Sequence, residues 1–110
     1  MKKFLLLFVG RAAQPAADDA QTQEYNRKWV EWMATLARQG RMESGLPLEP
    51  NGKVVKQDSV TDLQLQTEDT GGYMIVSAAS LDEAVEIAKQ APHIALGGTT
   101  IVRPSVAVDM

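Results

Sequence analysis

Gly71-Gly72-Tyr73-Met74-Ile75-Val76-Ser77-Ala78-Ala79-Ser80-Leu81-Asp82-Glu83-Ala84-Val85-Glu86-Ile87-Ala88-Lys89-Gln90-Ala91-Pro92 runs directly into His93-Ile94-Ala95-Leu96-Gly97-Gly98-Thr99-Thr100-Ile101-Val102-Arg103-Pro104, and this stretch decides the fold. It reads as strand, capped helix, strand. Tyr73 to Ala79 has strand composition. Ser80-Leu81-Asp82-Glu83 is a capping box, in which the Ser80 oxygen accepts from the Glu83 amide and the Glu83 carboxylate reaches back to the Ser80 amide. Leu81, Ala84, Val85, Ile87, Ala88 and Ala91 supply the buried side of a helix that runs until Pro92, where the missing N–H and the ring stop it. After the Gly97-Gly98 turn, Thr99 to Val102 resumes β-branched character as the last strand, and Ser105 to Met110 forms a tail.

Upstream, Lys2-Lys3 before Phe4-Leu5-Leu6-Leu7-Phe8-Val9 imitates a secretory leader, but the apolar run is short and Arg11 interrupts it. The favoured reading is a strand over Met1 to Val9, buried on both faces. Arg11 to Asp19 should be a loop. From Gln21 to Gln39 the large apolar residues Tyr25, Trp29, Trp32, Met33 and Leu36 recur at helical spacing, and Gly40 is the stop. Asp18, Asp19 and Glu24 lie toward the positive end of that helix, with Lys28 and Arg38 further along, an order that suits its dipole. Between this helix and Gly71, Leu46, Leu48, Val54 and Val55 flank Pro50-Asn51-Gly52, and Asn-Gly is a strong hairpin signal, so two short strands are expected to pair there. Val60 to Gln66 alternates as a third extended piece, before Glu68-Asp69.

The resulting order is strand, helix, strand with an inserted hairpin, strand, helix, strand. That is an α+β, ferredoxin-like sandwich with both helices on one sheet face. The other face carries apolar residues that a monomer would leave bare. Two such sheets packed together as a homodimer, a dimeric α/β barrel, would cover them.

The bulk numbers agree with a single domain over residues 1–110. A chain of 110 residues gains core by pairing with a second copy. At 45% hydrophobic and 23% charged it has an ordinary globular composition, favouring neither disorder nor a membrane protein. Eleven Lys and Arg against 14 Asp and Glu give a net charge of -3, with the basic residues scattered, so nucleic acid is not an expected partner. The chain has no cysteine, which removes disulfides and thiol chemistry and fits a cytoplasmic location.

Phe4-Leu5-Leu6-Leu7-Phe8, Leu36-Ala37-Arg38-Gln39-Gly40-Arg41-Met42, Gly71-Gly72-Tyr73-Met74-Ile75-Val76, Ser80-Leu81-Asp82-Glu83-Ala84, Gly97-Gly98 and Val102-Arg103-Pro104, in that order and spacing, resemble the YCII-related proteins, specifically their DGPF branch. The resemblance covers nearly the whole chain. It implies a dimeric α/β barrel, in which each subunit keeps a cleft between sheet and helix. Two departures matter. Where the branch has Thr-Asp-Gly-Pro-Phe, this chain has Thr61-Asp62-Leu63-Gln64-Leu65, so Asp62 alone carries over. Where the YCII proteins proper place a histidine near the start of the first long helix, paired with an aspartate, this chain has Trp29, and an indole is no general base.

Candidate chemistry is sparse. His93 is the lone side chain of a type that ordinarily titrates near neutrality, so acid-base proposals begin there, although a His just past a Pro is more often a turn residue. Asp62 is its possible partner, against a solvated or capping role. Arg103 could bind a carboxylate through its planar fork, against a structural ion pair. Trp29 and Tyr73 could line the same cleft, against plain packing. One His without Cys supplies no usual metal site, there is no phosphate loop or nucleophile elbow, and no cofactor is implied. Two function classes remain: a small-molecule-binding dimer with its cleft walled by the first helix, and a lyase, isomerase or hydrolase using His93 with Asp62 or Arg103. An accessory domain working with another protein is a third.

Overall fold

The computed structural model describes residues 1–9, 20–49, 51–64 and 70–106. In chain order the elements are β1 (Lys2–Val9), α1 (Ala20–Arg38), β2 (Met42–Pro47), β3 (Lys53–Lys56), β4 (Ser59–Asp62), β5 (Thr70–Ala78), α2 (Leu81–Ala88), a 3-10 turn (Pro92–Leu96) and β6 (Thr99–Pro104). The loop expected over 11–19 with Asp18 and Asp19, Pro50, residues 65–69 and the end of the tail from 107 lie outside the described residues.

Four strands form one antiparallel sheet in the order β2-β5-β1-β6. With the β3–β4 pair set aside, this is the split βαβ arrangement of a ferredoxin-like α+β fold. The apolar run at the N-terminus is β1, the central strand, bonded to β5 on one side and β6 on the other. Phe4 and Leu6 stand opposite Val76 and Met74 on β5, and their side chains meet Trp32 and Leu36 of α1 and Ala84, Ile87 and Ala88 of α2. Both helices therefore cover the same sheet face. Phe4, Leu6, Leu36, Met74 and Val76 are each 2% exposed or less, and full burial of side chains of this size contributes about 1.5–3 kcal/mol apiece.

The expectation that β1 is buried on both faces is corrected. Leu5 and Leu7 alternate onto the other face and are only half-buried, because no helix lies there. The register sets Tyr73 and Ile101 beside Leu7, and Ile75 and Arg103 beside Leu5, on that open face.

α1 ends as its sequence indicated. Gly40 has a φ of 71°, its amide donates to Ala37 O at 3.0 Å, and the Arg41 amide donates to Leu36 O at 2.9 Å. These paired bonds through a left-handed glycine are the Schellman closure. At α2, the Ser80 hydroxyl accepts from the Glu83 amide at 3.2 Å. The reciprocal half of the expected capping box is replaced, since the Glu83 carboxylate turns to Arg41, 3.0 Å away. α2 also stops at Ala88, short of Pro92, and the chain continues into the 3-10 turn.

The expected hairpin around Pro50-Asn51-Gly52 is corrected too. β2 pairs with β5, while β3 pairs with β4 across Gln57-Asp58, with Val55 opposite Val60. A two-residue Asn-Gly hairpin turn needs positive φ at both positions, and among the described residues only Gly40 and Gly97 have it. The third extended piece is β4, and it is the partner that β3 takes.

Candidate functional site

Pro92 opens the 3-10 turn and places His93 inside the protein, 5% exposed. The imidazole stacks on Trp29 of α1, with centroids 5.5 Å apart and planes 20° from parallel. Phe8 of β1 meets the imidazole edge-on at 5.3 Å and Trp29 at 5.1 Å, and Trp32 meets Trp29 at 5.6 Å. Four rings from α1, β1 and the 3-10 turn thus form one aromatic cage. Tyr25 extends it, 6.3 Å from Trp29.

Hydrogen bonding assigns the histidine tautomer. His93 Nε2 lies 3.0 Å from the Thr99 carbonyl, an acceptor with no hydrogen to give. Nε2 therefore carries the proton and donates, with Thr100 Oγ1 as a longer contact at 3.3 Å. In the neutral ring Nδ1 is then a bare lone pair, and it is buried with no partner among the described residues. Gly98 completes the seat: a Cβ there would lie 2.3 Å from His93 Cδ2.

Beside the cage, α1 and the α2-to-turn connection flank a shallow, largely open cleft of about 350 Å³ lined by Lys28, Glu31, Trp32, Thr35, Gln90 and Pro92. The residues from α1 fall at helical spacing, which is why one flank of the helix supplies most of the wall. Trp32 is buried, and its indole N–H has no acceptor among the described residues. Arg27 ion-pairs with both Glu24 and Glu31, and its hydrogen bond holds the Glu24 carboxyl below the ordinary range. Lys28 makes no ion pair among the described residues.

Of the residues singled out from sequence, the structure brings together Trp29 and His93. Arg103 and Tyr73 occupy the opposite sheet face, since their neighbours Val102 and Met74 point into the core. They stand in adjacent cross-strand rows with β1 between them. Asp62 is ion-paired to Lys53 within the β3–β4 hairpin, which packs on no other described element. Within one chain, neither Asp62 nor Arg103 stands beside His93. On the open face, Glu43 accepts from Ser77 Oγ at 3.0 Å and pairs with Lys3 at 3.2 Å. The Lys3 hydrogen bond, seconded by that of Ser77, holds the Glu43 carboxyl below its ordinary range.

Sequence reasoning read Lys28 only for the helix dipole and Pro92 only as a helix stop, and did not single out Glu31, Thr35 or Gln90. The spacing of 28, 31, 32 and 35 was the available signal, but the opposing wall depends on where the helix-to-turn connection packs. Among the described residues no group of three His, Cys, Asp or Glu is placed to hold a metal, and no helix is long and apolar enough to cross a membrane.

No curated protein is similar enough in sequence to match. Among solved structures, the chain is similar to the 5-chloro-2-hydroxyhydroquinone dehydrochlorinase of Burkholderia phenoliruptrix in complex with 2,5-dihydroxybenzoquinone. The TM-score is 0.55 and the identity 20%, over 92% of this chain and 90% of that one. At that identity the likeness is one of fold. The YCII-related domain matches residues 4–105, from within β1 to just past β6, and the chain belongs to that family.

Proposed function

We propose that the chain is a single YCII domain working as a cytoplasmic homodimer that binds a small molecule in the cleft walled by α1. The observation that carries the reading is the open cleft of about 350 Å³ beside the Phe8–Trp29–Trp32–His93 cage, where the Trp32 and Pro92 rings meet the polar side chains of Lys28, Glu31, Thr35 and Gln90. Ligand pockets combine an apolar wall with a few polar groups in this way, at volumes of roughly 300–1,000 Å³. The dehydrochlorinase of similar fold, solved with a small planar quinone, lends support by showing a compact ligand on this scaffold. The homodimer rests on the open sheet face, where Leu46 and Ile101 are exposed beside half-buried Leu5, Leu7, Tyr73 and Ile75.

The same relative motivates a second reading, a small lyase, isomerase or hydrolase with His93 as base. The Nδ1 lone pair suits a base, but within one chain neither Asp62 nor Arg103 lies beside His93, so a single chain does not by itself support the dyad. Binding is therefore the better-supported reading. A thermal-shift screen against small acids, phenols, quinones, neutral amides and amines tests it. A ligand at 100 times its Kd should stabilise the protein by about 2.7 kcal/mol, and Lys28→Gln, an exposed change in the cleft lining, should weaken that response. A flat response across the whole screen would remove the binding reading. Turnover of any hit that His93→Gln abolishes would favour the enzyme.

A further inference from the structure

We infer that the β3–β4 hairpin is an arm of the homodimer, pairing face to face with the same hairpin of a second copy. This rests on the homodimer reading above and adds a surface to it. Every described residue from 48 to 64 except Val54 is exposed, and the hairpin contacts no other described element. A two-stranded hairpin alone in water is marginally stable at best, and gains its stability by packing against something further.

The more exposed face of the hairpin is complementary to itself. Val55 and Val60 stand directly opposite each other there, 73% and 63% exposed. Lys53 and Asp62, two residues along each strand, are the next opposed pair on that face and are ion-paired. A two-fold axis running along the hairpin, between two stacked copies, would set Val55 of each over Val60 of the other and Lys53 of each over Asp62 of the other. Such a contact is isologous, as a two-fold dimer requires. Apolar meets apolar, and four charges of alternating sign close a ring.

Area and continuity place this contact in the homodimer already proposed. Four strands about 4.8 Å apart and about six residues long project a sheet face of roughly 400 Å², whereas a stable pair of chains buries about 800 Å² of accessible surface on each partner. The open sheet face gains from surface beside it. Exposed apolar residues continue from that face toward the hairpin, with Leu46 at its β2 edge followed by Leu48, whose amide prolongs the β2–β5 pairing by donating to Gly71 O at 2.9 Å.

Sedimentation of the full chain at low salt measures the dimer Kd. Val55→Thr combined with Val60→Thr keeps both side chains β-branched while removing the apolar contact, and should raise that Kd about tenfold. The charge swap Lys53→Asp with Asp62→Lys preserves the ion pair inside the hairpin and should dimerise as the unmodified chain does. Mixed with isotopically labelled unmodified chain, however, it would set Lys over Lys and Asp over Asp. That should weaken the mixed pair about tenfold, so that native mass spectrometry finds mixed dimers at about a tenth of all dimers, where chance gives about half. Mixed dimers at half, or an unchanged Kd in the double threonine variant, overturn the inference and leave the homodimer standing. A chain that stays monomeric to about 100 µM removes the homodimer and the hairpin contact together.

Discussion

A methyl group on Gly98 would sit 2.3 Å from His93 Cδ2 and 2.9 Å from the His93 carbonyl oxygen. Neither neighbour yields cheaply: one is backbone, and the other is a ring held between Trp29 and Phe8 with its Nε2 tied to Thr99. Gly98→Ala should therefore cost about 1–3 kcal/mol, the usual penalty for overpacking, and should separate His93 from Trp29. Urea unfolding and tryptophan emission check both effects. Unchanged stability with unchanged emission would mean that the ring is not seated this way. His93 and Trp29 stand out in the sequence as rare residue types, but their meeting depends on the β1–β6 register and on a turn that carries residue 93 inward. Gly97-Gly98 is legible as a turn; the need for the second glycine comes from the imidazole beside it. A tautomer set by the Thr99 carbonyl has no sequence signal, because every residue carries that group.

At the scale of the element, the cap of α2 is the clearest case of sequence dictating structure. Ser80 is extended at φ -153° and ψ 166°, and its hydroxyl meets the Glu83 amide. Ser80→Ala should destabilise the protein by about 1 kcal/mol, seen as a lower urea midpoint at constant m-value. A change below a few tenths of a kcal/mol would show that this cap is dispensable. The second half of the capping box failed because Glu83 had a better partner in Arg41, 42 positions back in the chain, brought to it by packing and by neither local rule nor turn chemistry. The hairpin error has the same origin. Asn51-Gly52 is a local turn signal, yet β2 is claimed by β5, a nine-residue strand whose Tyr73 and Met74 stand opposite Leu46 and Gly45. β3 then closes on β4, its neighbour in the chain. Strand existence was local information and strand partnership was not.

For the whole molecule, the unsettled surface is the sheet face that no helix covers. Leu5, Leu7, Tyr73 and Ile75 are half-buried there, Leu46 is 60% exposed and Ile101 42% exposed, and Lys3, Glu43 and Arg103 stand around them. An apolar centre with a charged rim is the anatomy of a protein interface. Two such faces would pack about 10 Å apart, as stacked sheets do. The alternation that exposes this face was legible in β1 and β5, but the mate proposed to cover it, a second copy of the chain, is something one sequence does not display. Ile75→Lys tests the pairing with little disturbance of the helix-side core, because Met74 and Val76 carry that core on the same strand. At micromolar concentration the unmodified chain should scatter light as a dimer, and Ile75→Lys as a monomer with a lower Tm, since an unpaired ammonium at the centre of the interface must stay hydrated. Arg38→Lys, on the exposed end of α1, should leave the mass unchanged. A monomer before any substitution would show that the open face is not self-paired, and a dimer that survives Ile75→Lys would place the interface elsewhere on the molecule.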